Sequence, residues 1–146
     1  MSQENVEIVR RGWEVFIEGM DHGNPTAVFD EDLFAPTYTL TPSRETVGSK
    51  TYVGREGFAE WLRIWTEDFM DWKIRPVTII DAGNDRVVTV VYQAGRGKES
   101  GAAVDVQFGT VHTLKAGQVI EQRNYIDPAE ALEAVGLSEQ DAHDDS

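Results

Sequence analysis

Apolar residues recur at helical steps near the start of the chain. Val6, Val9, Trp13, Phe16, Ile17 and Met20 fall three and four positions apart, which places them on one face and predicts a helix. Ser2 is a candidate N-cap, and Glu4 lies near the positive end of the helix dipole. Gly23 ends this helix. Asn24-Pro25 reads as an N-cap followed by proline at the first helical position, opening a short second helix through Phe29. Residues 38–40 suggest a short strand closed by Pro42, and residues 43–53 show no period and read as a surface loop. A third helix is predicted over 55–69, with Phe58, Trp61, Leu62, Trp65 and Phe69 as its apolar stripe.

The pattern then changes to period two. Segments 73–80, 86–93, 104–114 and 119–126 are rich in Val, Ile, Thr and aromatics, with turn clusters at 81–85, 95–101 and 115–117. Consecutive strands joined by short turns make an antiparallel meander. Asp127-Pro128-Ala129-Glu130 combines an N-cap, an early proline and a capping-box acid, and opens a last short helix ended by Gly136. Helices followed by strands imply an α+β fold. Lys115-Ala116-Gly117 fits a three-residue hairpin loop, which pairs Phe108 with Asn124, Thr110 with Gln122 and His112 with Ile120. One face then carries Val106, Phe108, Thr110, His112, Ile120, Gln122, Asn124 and Ile126. The opposite face carries Asp105, Gln107, Gly109, Val111, Glu121, Arg123, Tyr125 and Asp127. The first is the more apolar and is expected against the helices. A two-residue turn would shift this register.

Length and composition narrow the picture. The 146 residues make one domain, expected over 1–137, with 138–146 an acidic tail expected to be disordered. A chain this long buries roughly 68–70% of its unfolded surface, so it folds without disulfides or metal. There are 26 acidic against 13 basic side chains, a formal charge of −13. That charge argues against nucleic acid, whose affinity for proteins comes from Lys and Arg, and against anionic membranes. Cysteine is absent, which removes thiol nucleophiles and thiolate metal sites. No apolar run approaches the ~18 residues of a membrane span, and the start lacks signal-peptide character. The expectation is a cytoplasmic protein.

The chain resembles the SnoaL-like branch of the nuclear-transport-factor-two-like superfamily. The resemblance rests on SQENVEIVRRGWEVFIEGMDHGN, YVGREGFAEWLRIW, DAGNDRVV and VHTLKAGQVIEQRNYIDPAEALEAVGL, and covers about residues 3–137. It implies a curved antiparallel sheet wrapped around the N-terminal helices, forming a cone with an interior apolar pocket. It also implies a homodimer through the outer sheet face, where Arg123, Tyr125, Asp105 and Asp127 are expected. The superfamily includes ketosteroid isomerases, polyketide cyclases, limonene epoxide hydrolases and dehydratases, and fold alone does not choose among them.

The catalytic groups of those relatives are missing here. Ketosteroid isomerases use a tyrosine and two aspartates, and the corresponding positions are Phe16, Thr41 and Thr110. Limonene epoxide hydrolases use an Asp-Arg-Asp set, matched here by Val91, Gln93 and Asn124, although their pocket tyrosine has a counterpart in Tyr38. Polyketide cyclases place a base where Asn124 stands. An amide cannot deprotonate water at neutral pH. What remains is Tyr38, Gln93, Thr110, His112, Gln122 and Asn124, a polar but mostly neutral set.

His112 is the pocket-side group that titrates near neutrality, which makes it the candidate general base, with Tyr38 as its companion. The plainer alternative puts His112 at the sheet end, partly solvated. Trp13, Phe16, Trp61, Trp65, Val91 and Phe108 complete the expected ligand-lining set, or are simply core. No metal site is expected: no two histidines have ligand spacing, and 30–32 lacks calcium-loop spacing. Gly95, Gly97 and Gly101 lie between strands with no helix following, which fails the context for a dinucleotide-binding loop, and no cofactor is expected. Three functions stay open: binding of a small hydrophobic or aromatic molecule; a lyase, isomerase or cyclase acting on a polyketide-like or terpenoid-like substrate through His112 and Tyr38; and a protein-interaction module working through the sheet face.

Overall fold

The computed structural model describes residues 2–43 and 50–137. In chain order the elements are α1 (Ser2–Asp21), α2 (Ala27–Asp30), β1 (Phe34–Thr41), β2 (Tyr52–Val53), α3 (Gly54–Asp68), β3 (Phe69–Gly83), β4 (Arg86–Gly97), β5 (Ala103–Lys115), β6 (Gln118–Tyr125) and α4 (Pro128–Ala134). One six-stranded sheet has the order β2-β1-β6-β5-β4-β3. The expected α+β architecture is present. Strands β3 to β6 form the antiparallel meander, whereas β1 lies parallel to β6.

Several boundaries depart from the sequence expectations. The second helix starts at Ala27 with Thr26 in the cap position, because residues 24–27 form a turn in which Ala27 N–H donates to the Asn24 carbonyl. The strand expected over 38–40 extends across Phe34–Thr41. The loop expected over 43–53 ends in β2, which pairs Tyr52 with Leu40, and its residues 44–49 lie outside the described residues. The same holds for the tail at 138–146 and for the side chain of Ser2. Strand β3 begins at Phe69 with no intervening loop.

The last hairpin is the instructive correction. Its turn holds two residues, not three. Ala116 (φ 52) and Gly117 (φ 80) both take left-handed conformations, and Lys115 pairs with Gln118. A bulge follows between Thr113 and Leu114, and beyond it Thr110 pairs with Asn124 and His112 with Gln122. The register is therefore two residues from the expected one. The even shift leaves the residues beyond the bulge on their expected faces, but at the bulge itself Val119, and not the expected Ile120, lines the interior.

The concave face packs on α1 and α3 through Val9, Trp13, Phe16, Phe34, Tyr38, Leu40, Phe58, Trp61, Val87, Val91 and Val119. At the concave rim Val106 and Ile126 are exposed. On the convex face α4 covers Ile80, Val88 and Val111 with Ala131, Leu132 and Val135. Asp127 caps α4, its carboxylate accepting from Ala129 N–H at 2.9 Å. The outer face is thus partly occupied by the chain itself. Val111 and Gly109 are buried, and Tyr125 packs against the α4 cluster. No helix among the described residues is long and apolar enough to cross a membrane.

Candidate functional site

The cone interior is nearly filled by aromatic rings. Phe34 stacks on Tyr38 with centroids 4.6 Å apart, and Phe58 meets Phe16, Phe29, Phe34 and Tyr38 edge-on at 5.8–5.9 Å. A void of about 30 Å³ remains at the centre, lined by Val9, Gly12, Trp13, Phe16, Phe34, Phe58, Trp61, Ile74, Phe108, Thr110, His112, Val119 and Gln122. That volume is on the scale of a water molecule. A second void of about 70 Å³ lies at the mouth, bounded by Pro42, Ser43, Trp61, Trp65, Gln93, Val106, Phe108, Asn124, Tyr125 and Ile126. Trp61 and Phe108 line both voids and form the partition between them.

Most of the expected set is therefore brought together. Trp13, Phe16, Trp61, Phe108, Thr110, His112 and Gln122 line the inner void, and Trp65, Gln93 and Asn124 join at the mouth. Tyr38 and Val91 line neither; both are fully buried in the core. Sequence reasoning missed Phe34, Ile74, Val119 and Gly12 as lining residues. Val9 and Phe58 stood on the helix stripes, so their signal was present, whereas a mid-helix glycine carried none.

A chain of neutral hydrogen bonds runs along this wall. The Tyr38 hydroxyl donates to Gln122 Oε1 at 2.5 Å, and Gln122 Nε2 donates to Asn124 Oδ1 at 3.0 Å. The Thr110 hydroxyl donates to the same Asn124 oxygen at 3.1 Å. Asn124 is thus a buried amide held by side chains. Trp13 Nε1 donates to Thr89 at 3.3 Å, and Trp72 Nε1 to Gln93 at 3.0 Å. Trp72 was not among the expected residues, yet it fixes the Gln93 amide.

His112 is not at a solvated sheet end. It is 4% exposed, and its ring lies 6.3 Å from that of Phe34. Desolvation pushes its pKa down to about 4, with Gln122 acting in the opposite direction. The expectation that it titrates near neutrality is overturned by burial. Burial likewise holds the Tyr38 phenol well above its ordinary range. Both groups are uncharged at neutral pH. Neither void is lined by an acid, and no Asp or Glu is buried among the described residues. Among the described residues His112 has no carboxylate to orient it, and its Nδ1 has no hydrogen-bond partner. Among the described residues no cluster of three His, Cys, Asp or Glu could hold a metal ion.

A family model for the SnoaL-like domain matches residues 13–122. The chain belongs to that family. Solved SnoaL-like and related structures superpose on most of it. A protein from Jannaschia sp. CCS1, provisionally named a SnoaL-like polyketide cyclase, is 25% identical with a TM-score of 0.68, covering 91% of this chain and 92% of its own. Bal32a, from a soil-derived mobile gene cassette, is 25% identical with a TM-score of 0.66, covering 85% and 89%. TerC, co-crystallized with polyporic acid, is 16% identical with a TM-score of 0.68, covering 90% and 98%. No curated protein sequence matches the chain. The cone fold of this SnoaL-like protein accords with these neighbours.

Proposed function

We propose that the cone binds one small, neutral, largely apolar molecule and performs no chemistry on it. The observation that carries this reading is the unfilled inner void opposite Gly12. A Cβ at Gly12 would meet only a Phe34 ring carbon, at 3.6 Å, which is ordinary contact. Glycine inside a helix is less favourable than alanine by about 1 kcal/mol. The chain therefore leaves a space that a more stable sequence would fill, and rims it with neutral polar groups. A ligand larger than water enters by displacing Phe108 and Trp61, which joins the two voids.

The missing carboxylates favour binding over catalysis. The enzyme reading, with His112 and Tyr38 acting on a polyketide-like or terpenoid-like substrate, draws support from the bare His112 Nδ1 beside the void. Against it stands the weakness of a base whose pKa is about 4. The homodimer expected through the outer face belongs to the same proposal, on the part α4 leaves open. Arg75 lies over Tyr92 there at 4.9 Å, and Arg123 is exposed. Light scattering should give twice the chain mass at micromolar concentration; the monomer mass would remove this element.

The binding reading is tested by extracting the purified protein for mass spectrometry and by thermal shift against neutral aromatics. A ligand at 100 times its Kd stabilises by about 2.7 kcal/mol, a shift of several degrees. An empty extract together with no shift from any compound would sink the reading.

A further inference from the structure

The side-chain amides at the mouth void are oriented by the bonds they already make. Trp72 Nε1 can only donate, so the Gln93 atom that meets it at 3.0 Å is the oxygen. The nitrogen is the end left over. Among the described residues Gln93 Nε2 has no hydrogen-bond partner, and it is not sealed away, so a water-sized group can reach it. Gln93 is 9% exposed and borders the mouth void. The oxygen of the other amide there, Asn124, is taken twice, by Thr110 and by Gln122. Both amide oxygens are thus occupied, and what the amides offer a guest is N–H. Gln93 pairs with Val106 and Asn124 with Thr110, about 13 Å apart along β5, so each is a separate donor. Trp65 borders the same void, and its buried indole N–H also has no partner. No charged side chain among the described residues lines it.

We infer that the mouth void receives the carbonyl oxygen of a neutral ligand, which accepts from Gln93 Nε2 while the ligand's apolar body passes between Trp61 and Phe108 toward the inner void. This rests on the binding reading above and specifies the ligand's polar end and where it sits. A hydroxyl there would bring a proton for which neither amide oxygen is free. A carboxylate would lose its hydration with no Lys or Arg on the lining to offset the loss. A carbonyl is a pure acceptor and carries no charge, which matches donors set in an uncharged wall. The aromatic partition favours a flat body behind it.

Acetophenone and α-methylstyrene exchange C=O for C=CH2 at nearly constant shape and serve as the probes. Their affinities are measured for the whole protein and for Gln93→Met, which keeps the length of the side chain and removes its N–H groups. The ratio of acetophenone to α-methylstyrene affinity should fall about fivefold in the variant, the worth of one hydrogen bond. Proton–nitrogen spectra of the unaltered protein give an independent reading, whether or not Gln93→Met folds. The Gln93 side-chain N–H signals should move with acetophenone and stay in place with α-methylstyrene. Benzoate should bind more weakly than acetophenone. An unchanged ratio, unmoved Gln93 signals or tighter binding of benzoate overturns the inference while leaving α-methylstyrene binding, and with it the cone-binding reading, intact. If none of the probes binds, the cone-binding reading falls and this one with it.

Discussion

The two faces of the sheet solve packing differently. On the convex face α4 lies so close to β5 that a Cβ on Gly109 would stand 2.5 Å from the Cβ of Ala131. On the concave face the Gly12 position has room for a methyl group, and a buried histidine keeps an unsatisfied nitrogen. The α4 cluster is wholly apolar at its centre, while the concave wall holds Thr89, Gln93, Thr110, His112, Gln122 and Asn124. One face is close-packed for stability. The other keeps polarity and space that stability alone does not ask for, and such departures are expected where a protein binds.

The largest effect separating the faces should be pH dependence from the concave one. The folded His112 has a pKa of about 4 against an ordinary 6.5. Between those values the unfolded chain binds more protons. This contribution to stability is therefore complete above pH 6.5 and is lost as pH falls toward 4, by up to about 3 kcal/mol. Urea unfolding at pH 7 and pH 4.5 should show the protein losing about 2 to 3 kcal/mol more than His112→Gln, whose side chain stays neutral. Equal losses would mean that the imidazole is solvated and that the concave wall is not dry.

The convex face should respond to volume instead. Gly109→Ala forces α4 off the sheet or bends β5, at about 2 kcal/mol by the usual cost of overpacking. Chemical denaturation at neutral pH reads this directly. A cost under ~0.5 kcal/mol, the scale of a neutral surface change, would show that α4 is loosely docked.

This contrast was only half legible in the sequence. Period two separates Thr110, His112, Gln122 and Asn124 from their neighbours, and parity is robust. An unforeseen two-residue turn and an unforeseen bulge each shift the register by one residue, and the sum, being even, leaves every residue beyond the bulge on its expected face. Depth is not a property of parity. His112 reads identically whether a sheet end is wet or sealed by Phe34, and only three-dimensional packing fixes its pKa. Gly109 looks like any strand glycine until Ala131 is placed above it. The aromatic stripes announced what surrounds the cone interior, but not that the rings leave a water-sized gap, because volume is a small difference between large quantities.

The smallest effect carries the sharpest comparison, since it applies the same chemical change as Gly109→Ala to the other face. Gly12 lies inside α1, where alanine is favoured by about 1 kcal/mol, and the added methyl enters the inner void without a clash. Gly12→Ala should therefore stabilise the free protein by about 0.5–1 kcal/mol, opposite in sign to the convex-face substitution. If the void is kept for a ligand, the same change should weaken retention of the bound aromatic in the thermal-shift assay. Greater stability with undiminished binding would make the void a packing defect. Lower stability would mean that the Phe34 ring has no room to yield, and that the concave face is as tightly packed as the convex one.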